Sequence, residues 1–570
     1  MKLFRLVILV GMVILLMNEL CNSQVLSGWV TTAGAGNNDK GLSIVPSQGG
    51  FIYAMGTYID TVTFELGNGN SLLNGNQNFN NTFIQKRTND GALNWVVGLG
   101  GLGESGVTGK KLAITPNGNC ILLAHFFGAI DADPGLDTFI LNAMNSKRNY
   151  CLIELNDNGE FVWARNCVQL GQYDDLKNIA IDNYGDIYLS GIFHDSVDFD
   201  PGVSSHFVTS NGNSDIFIQK LQPNGDFIWV ETFGSSGSED ISSLCLTPFN
   251  NLVITGRFYE TIDFDPGLGV EELSAPVSTY ASFLLQLSTD AEFNWVSFTQ
   301  SSQEIVSDQS GNIFALGIFQ GTIDFDLGLG ISQLTSAGLT DAFIIRYSHE
   351  GEYLWAKRFG GPNYDFPSGI FATNSGELFC CGSFAGTSDF DPNNGIYELS
   401  SSDGFDDVFI LKLSNEGDFI WAEKTGGSGN NYERCWDICV NEENDIFFTG
   451  QFRDSGIFDP NSIGNQYLSM GYEDMFLAKW LDSPSSISNI KPEIYFHVFP
   501  NPTDKFLNIQ SAVSLNHSSF YIYDTSGLLV MSDIINDEQW YVDVSCLTSG
   551  MYVFKMCANG KNLSKTFVVN

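Results

Sequence analysis

Asp215–Trp229 reads DIFIQKLQPNGDFIW: a short apolar strand, a Pro-Asn-Gly-Asp turn, and a second strand that carries a tryptophan. Tight Gly/Asn turns between alternating apolar runs signal β-hairpins. The hairpin returns as TFIQKRTNDGALNW, CLIELNDNGEFVW, SFLLQLSTDAEFNW, AFIIRYSHEGEYLW and VFILKLSNEGDFIW. Its tryptophans are Trp95, Trp163, Trp229, Trp295, Trp355 and Trp421, and Trp29 opens the series without the first half. From Trp29 onward the intervals are 66, 68, 66, 66, 60 and 66 residues. A nearly constant period of this size marks a repeat protein.

Each period holds four strand-like runs, clearest in LKNIAID, DIYLSGIFHDSVDFD, DIFIQKLQ and DFIWVETFG, here labelled a, b, c and d with the tryptophan on d. Helical periodicity is absent from this region. Four antiparallel strands repeated radially make the blades of a β-propeller. Seven a-b-c sets begin near Gly41, Lys111, Lys177, Ile241, Ser302, Ser368 and Trp436, and seven d strands carry the tryptophans from Trp29 to Trp421. The first d strand precedes the first set, and the last set, ending DMFLAKW at Trp480, lacks one of its own. The expected fold is all-β: a seven-bladed propeller closed by its N-terminal strand, which protects the sheet edges, and then a small C-terminal β-sandwich.

Of the 570 residues 43% are hydrophobic, 45 are Phe, and only 16% are charged, which argues against disorder. The net charge of −40 argues against nucleic acid or an anionic membrane as partner, since a phosphate surface calls for a basic face. Cations, basic proteins and neutral sugars stay open. Lys2 and Arg5, the apolar run Leu6–Met17 and the small-residue stretch Cys21-Asn22-Ser23 read as a secretory signal over 1–23. That run is about 12 residues, too short to span a bilayer, and no later stretch resembles a transmembrane helix. Ten cysteines remain after Cys21, too few for a disulfide-dense scaffold. Cys435 and Cys439 are expected on one face of a strand and, with no His cluster beside them, as core or paired thiols.

The repeats are expected over 24–481 and a Ser/Pro linker over 482–493. The segment 494–570 changes style, with FHVFPNPTDKFLNI, SFYIYDTSGLLVM, WYVDVSCLTSGMYVFKM and SKTFVVN. Its motifs Pro500-Asn501-Pro502, Tyr523-Asp524-Thr525-Ser526-Gly527 and Ser549-Gly550-Met551-Tyr552 resemble the type A sorting domain of the type IX secretion system. The match covers about the last 75 residues. It departs at the extreme end, where Lys565 is followed by Thr-Phe-Val-Val-Asn instead of a more basic tail. The resemblance implies the type IX machinery as partner and passage across a Bacteroidetes-type outer membrane, to the medium or the cell surface. The repeats resemble a bacterial β-propeller repeat family of exported proteins through the d-strand tryptophan, the G-D-I-Y-type hairpin and the D-F-D-P-G segment. That family is a scaffold and names no reaction.

In an up-and-down blade the d-to-a and b-to-c connections emerge on one face, and binding residues ride on such longer loops. Each d-to-a connection holds a carboxylate 9 to 12 residues after its tryptophan: Asp39, Glu104, Asp175, Asp240, Glu304, Asp365 and Glu433. With the a strands lining a central channel, these side chains are candidates for a ring at its mouth that draws in cations or a basic partner, or for turn caps and solubilising charge. After strand b come Asp198-Phe-Asp200, Asp263-Phe-Asp265, Asp324-Phe-Asp326 and Asp389-Phe-Asp391. Alternation puts the paired Asp on one side and a buried Phe on the other. Paired carboxylates with turn carbonyls suit Ca²⁺, the one cofactor the sequence suggests. The segment is shorter than a full calcium loop, lacks a distal bidentate Glu, and is also an ordinary turn signature.

No H-E-x-x-H, G-x-S-x-G or P-loop pattern appears. Ser414–Trp421 is loosely similar to a sialidase Asp-box but lacks its Asp-Gly order, and no arginine triad is evident. Gly225–Trp229 and Cys380-Cys381 resemble features of quinoprotein dehydrogenases, yet that cysteine pair falls inside strand b and seven blades is one fewer than those enzymes have. The expectation is a non-catalytic, exported binding or adhesion scaffold whose partner is an extracellular glycan, protein or cation. The alternative is an exported glycosidase or lyase using carboxylates on the same face.

Overall fold

A computed structural model describes residues 25–570 except 35, 48, 67–68, 144–147, 169–173, 201, 203, 329, 428–432, 461–463, 483–495, 500–502, 504, 512–517, 525–527, 536–540, 559–560 and 570. The signal segment 1–23, most of the linker 482–493, Pro500, Asn501, Pro502 and Gly527 therefore lie outside the described residues. The chain divides into two compact units, Met1–Ser483 and Pro484–Asn570.

The first unit is all-β and propeller-like, a succession of four-stranded antiparallel sheets in the order a-b-c-d. The a strands are Lys40–Ser47, Gly106–Ile114, Asp175–Ile181, Asp240–Leu246, Ser302–Ser307, Asp365–Ala372 and Glu433–Val440. Each contacts the a strand of the next sheet, and Glu433–Val440 contacts Lys40–Ser47. In the last sheet the fourth strand is Val25–Ala33, paired antiparallel with Asp474–Asp482.

Strands b and c are buried on both faces, as in the third sheet's Ile187–Phe193 and Asp215–Leu221. They therefore read as continuous apolar runs, and sheets stacked face to face supply the neighbours. The abundance of Phe has a repeated purpose. Phe193, Phe199 and Phe217 pack with ring centroids 5.0–6.2 Å apart, and Phe319, Phe325 and Phe343 repeat the cluster. The middle ring of each trio is the Phe of a D-F-D segment.

The tryptophans join one sheet to the next. Trp29, Trp95 and Trp295 each donate the indole N–H to a backbone carbonyl in the c-to-d turn of the following repeat: Asn89 at 3.0 Å, Asp157 at 2.9 Å and His349 at 3.2 Å. Under Trp295 lies Gly351 of that turn, at φ +81, where an added Cβ would sit 2.7 Å from Trp295 Cε3. Only glycine combines that left-handed backbone with that close approach. The G-x-x-x-W pattern is thus an inter-sheet joint.

Each a strand carries a one-residue bulge at the same place: Leu42, Lys110, Lys177, Ser242, Gln303, Ser368 and Trp436. A bulge inverts the inside-outside alternation downstream of it. Cys435 and Cys439 consequently pack in two different clusters instead of sharing one face, which corrects the expectation from their spacing. The cysteines described are free thiols, and Cys380 and Cys381 are buried on opposite faces of their strand.

In the second unit, Phe496–Phe499, Phe506–Ser511 and Tyr541–Asp543 form one sheet. Ser518–Asp524, Leu529–Ile535, Gly550–Ala558 and Lys561–Val569 form another. Leu507, Ile522, Val544, Phe554 and Phe567 fill the core. Tyr523-Asp524 ends a strand, and Leu528 N–H donates to Asp524 Oδ1 at 3.0 Å. Tyr552 is buried against Phe567 and donates its hydroxyl to Thr548 O at 2.7 Å, which ties down the turn holding Ser549 and Gly550.

Candidate functional site: the loop face and the inner-strand cavity

The structure gives the seven loop carboxylates four different placements. Asp39, Asp365 and Glu433 stand three residues before the bulge of their a strand and are buried as loop ties. Asp39 accepts Ile59 N–H at 3.1 Å, Asp365 accepts Gly361 N–H and the Ser388 hydroxyl at 2.8 and 2.7 Å, and Glu433 accepts Gly427 N–H at 2.9 Å. Burial pushes the Asp365 carboxyl up to about 6 and the Glu433 carboxyl up to about 8. Asp175 and Asp240 are one residue out of step: Asp175 pairs across sheets with Lys110 and Tyr150, and Asp240 pairs across sheets with Lys177 and within its own sheet with Arg257. Glu104 is exposed in its loop.

The tying residues of the third and fourth repeats are the neighbours that sequence reading passed over. Asp174 accepts His194 N–H at 2.9 Å, and Glu239 accepts Tyr259 N–H and the Ser235 hydroxyl at 3.4 and 2.7 Å. Both precede another acid, so only the position of the bulge separates the tie from the partner of a lysine.

Glu304 enters a cavity of about 440 Å³ lined from all seven a strands. There Lys111 Nζ lies 3.7 Å from Glu304 Oε1, and 22% of the Glu304 side-chain surface is open to the cavity. Glu304 Oε2 is buried with no hydrogen-bond partner among the described residues. Asp437, on the same wall, accepts Ile44 N–H at 2.8 Å and Ile438 N–H at 2.9 Å. Burial raises both carboxyls, and the charge of Glu304 raises Asp437 further. Of the seven loop carboxylates Glu304 alone lines this cavity, together with Asp437, Lys111 and Lys177.

In the D-F-D segments the first Asp closes the loop on itself. Asp198 Oδ1 accepts Asp200 N–H at 3.1 Å and His206 N–H at 2.7 Å. Asp263, Asp324 and Asp389 repeat this with residues two and eight positions on. The second Asp caps the next turn: Asp200, Asp265 and Asp326 accept from Gly202, Gly267 and Gly328, and Asp391 from Asn393. The intervening Phe199, Phe264, Phe325 and Phe390 are buried, as alternation predicts. Among the described residues no group of three or more His, Cys, Asp or Glu side chains is arranged to hold a metal.

Residues 497–570 match the secretion system C-terminal sorting domain. This domain, of the type IX class, marks an exported protein, secreted or held at the cell surface. No helix among the described residues is long and apolar enough to cross a membrane. A curated relative is an uncharacterized WD repeat-containing protein of Acanthamoeba polyphaga mimivirus, 22% identical over 236 residues. The aligned region takes 36% of this chain, and the chain spans 17% of that relative's length. Among solved structures, a Bacteroides caccae protein of unknown function is 10% identical over 58% of this chain and 94% of its own, at TM-score 0.28. The extracellular domain of a putative one-component system from B. thetaiotaomicron is 9% identical over 95% and 98%, at 0.21. PorZ, a surface component of the type IX secretion system of Porphyromonas gingivalis, is 11% identical over 95% and 100%, at 0.17. Superpositions this loose define no shared activity.

Proposed function

We propose that residues 24–481 form a seven-bladed propeller closed by the strand around Trp29, and that it serves as a non-catalytic binding scaffold for an extracellular partner. Residues 1–23 direct export, 482–493 link, and 494–570 hand the chain to the type IX machinery. Closure is supported by the pairing of Val25–Ala33 with Asp474–Asp482 and by the cavity that all seven a strands line. The observation that carries the binding reading is the set of b-to-c hairpins on one side of a register that repeats from sheet to sheet. Their D-F-D bases are alike while their tips differ, as in Gly267-Leu268-Gly269-Val270 and Asn393-Asn394-Gly395-Ile396. Rigid supports with variable tips are how recognition loops are built.

Two measurements test the reading. Deleting 497–570 in a type IX-competent host should retain the chain inside the cell, and undiminished release would refute the role given to the tail. Purified full chain should bind extracellular glycans or proteins without converting them. Cleavage of a glycan, lost when two carboxylates are changed, would replace the scaffold reading with that of a glycosidase or lyase.

A further inference from the structure

The 60-residue interval between Trp295 and Trp355 has a structural location. Strand d of the fourth sheet ends at Thr299 and the next a strand begins at Ser302, leaving two connecting residues. In the preceding repeat the same connection runs from Phe233 to Asp240.

The shortening comes with three coordinated changes. In five other sheets the first inward residue of strand c is a buried Asp or Asn pressed against a glycine five residues after a tryptophan. These pairs are Asp474 with Gly34, Asn81 with Gly100, Asp215 with Gly234, Asp341 with Gly360 and Asp407 with Gly426. The fourth sheet has Ala281 and Gln300 at those places. Where Arg358 pairs with Asp341 at 2.6 Å and Lys424 with Asp407 at 2.7 Å, it has Phe298, which lines one cavity with Ala281. Gln300 also occupies the loop-tie position held by Asp39, Asp174, Glu239, Asp365 and Glu433, and donates instead to Asp324 O at 2.9 Å.

The acid, the glycine and the loop are thus replaced together at one junction, and what they leave is a cavity of about 510 Å³ between the fourth and fifth sheets. It opens among the d-to-a and b-to-c connections. Its wall combines the rings of Tyr280 and Phe298 with the side chains of Ser282, Gln300 and Gln320, over a floor of the buried Phe319 and Phe343. None of its 15 lining residues is charged, in a chain of net charge −40. The volume falls within the ~300–1,000 Å³ of small-molecule sites.

We propose that this cavity binds an uncharged sugar ring, which gives the scaffold reading above its ligand class and rests on that reading. Aromatic walls cover the apolar face of a sugar, and amide and hydroxyl groups meet its hydroxyls as both donors and acceptors. An ion would lose its hydration against a wall with no countercharge. A wholly apolar ligand would strip water from the Gln320 amide and the Gln300 Oε1 without offering either a hydrogen bond.

The test is calorimetry of the full chain against a panel of neutral mono- and disaccharides, with acidic saccharides alongside, repeated on two variants. Ala281→Leu fills the cavity, and Gln320→Ala alters its exposed rim without touching the core. At least one neutral sugar should bind; Ala281→Leu should weaken it about tenfold or more, as loss of space does, and Gln320→Ala about threefold or more, as loss of one hydrogen bond does. Neutral sugars binding both variants unchanged would overturn this site and leave the scaffold reading intact. Binding of acidic saccharides alone, or of an extracellular protein but no saccharide, would do the same. Failure to bind any saccharide or protein would sink both.

Discussion

The joint between Trp295 and Gly351 can be separated from the backbone cost of its turn by a pair of substitutions. Gly351 and Gly118 have nearly the same backbone, at φ +81 and +85. An added Cβ at Gly118 meets nothing within 4 Å, whereas at Gly351 it meets Trp295 atoms at 2.7–2.9 Å. Gly118→Ala should cost the left-handed conformation alone, about 1–2 kcal/mol. Gly351→Ala should add the overpacking of a ring held by its hydrogen bond to His349 O, about 1–3 kcal/mol more. Equilibrium denaturation of the two full-length variants, followed by tryptophan fluorescence at matched slopes, reads the difference directly. Equal losses would refute the joint, because the backbone term is common to both.

Glu433 gives a pH signature. Its carboxyl is lifted by burial from 4.5 to about 8, so between those values the native state holds a proton that the unfolded chain has released, and stability falls as pH rises through that window. Glu433→Gln keeps an acceptor for Gly427 N–H without titrating. Its thermal midpoint should gain on the parent from pH 5 to pH 8, at a limit of about 1.4 kcal/mol per pH unit, and parallel profiles would refute the buried neutral acid. Asp198→Ala removes an acceptor from two backbone amides and should cost about 1–3 kcal/mol, while Asp198→Asn should recover most of it; equal losses in urea would refute the loop-closing role. With the first Asp of each D-F-D segment already closing its loop, millimolar Ca²⁺ should shift the thermal midpoint of the full chain no more than Mg²⁺ does. A Ca²⁺-specific rise abolished by Asp200→Ala and Asp265→Ala would instead make those segments metal sites.

The repeat, its four strands, the tryptophan on strand d and the sorting tail were legible in the chain because they depend on local pattern. Turn glycines sit where the backbone turns, apolar runs sit where sheets stack, and the period counts sheets. The buried Phe between paired aspartates followed from strand alternation for the same reason. The carboxylates of the loop face were legible only as a list. Whether an acid ties a loop, as Asp39 and Glu433 do, meets a lysine, as Asp175 does, or enters a cavity, as Glu304 does, depends on a single-residue bulge that shifts parity by one. No local pattern announces that bulge, which shows only in the register of each a strand against its b strand. The same bulge parted Cys435 from Cys439. The interval of 60 was visible as a number, but what it removes was decided by tertiary contact, since the acid on strand c is distant in sequence from the glycine that opens the loop and meets it only in the folded sheet.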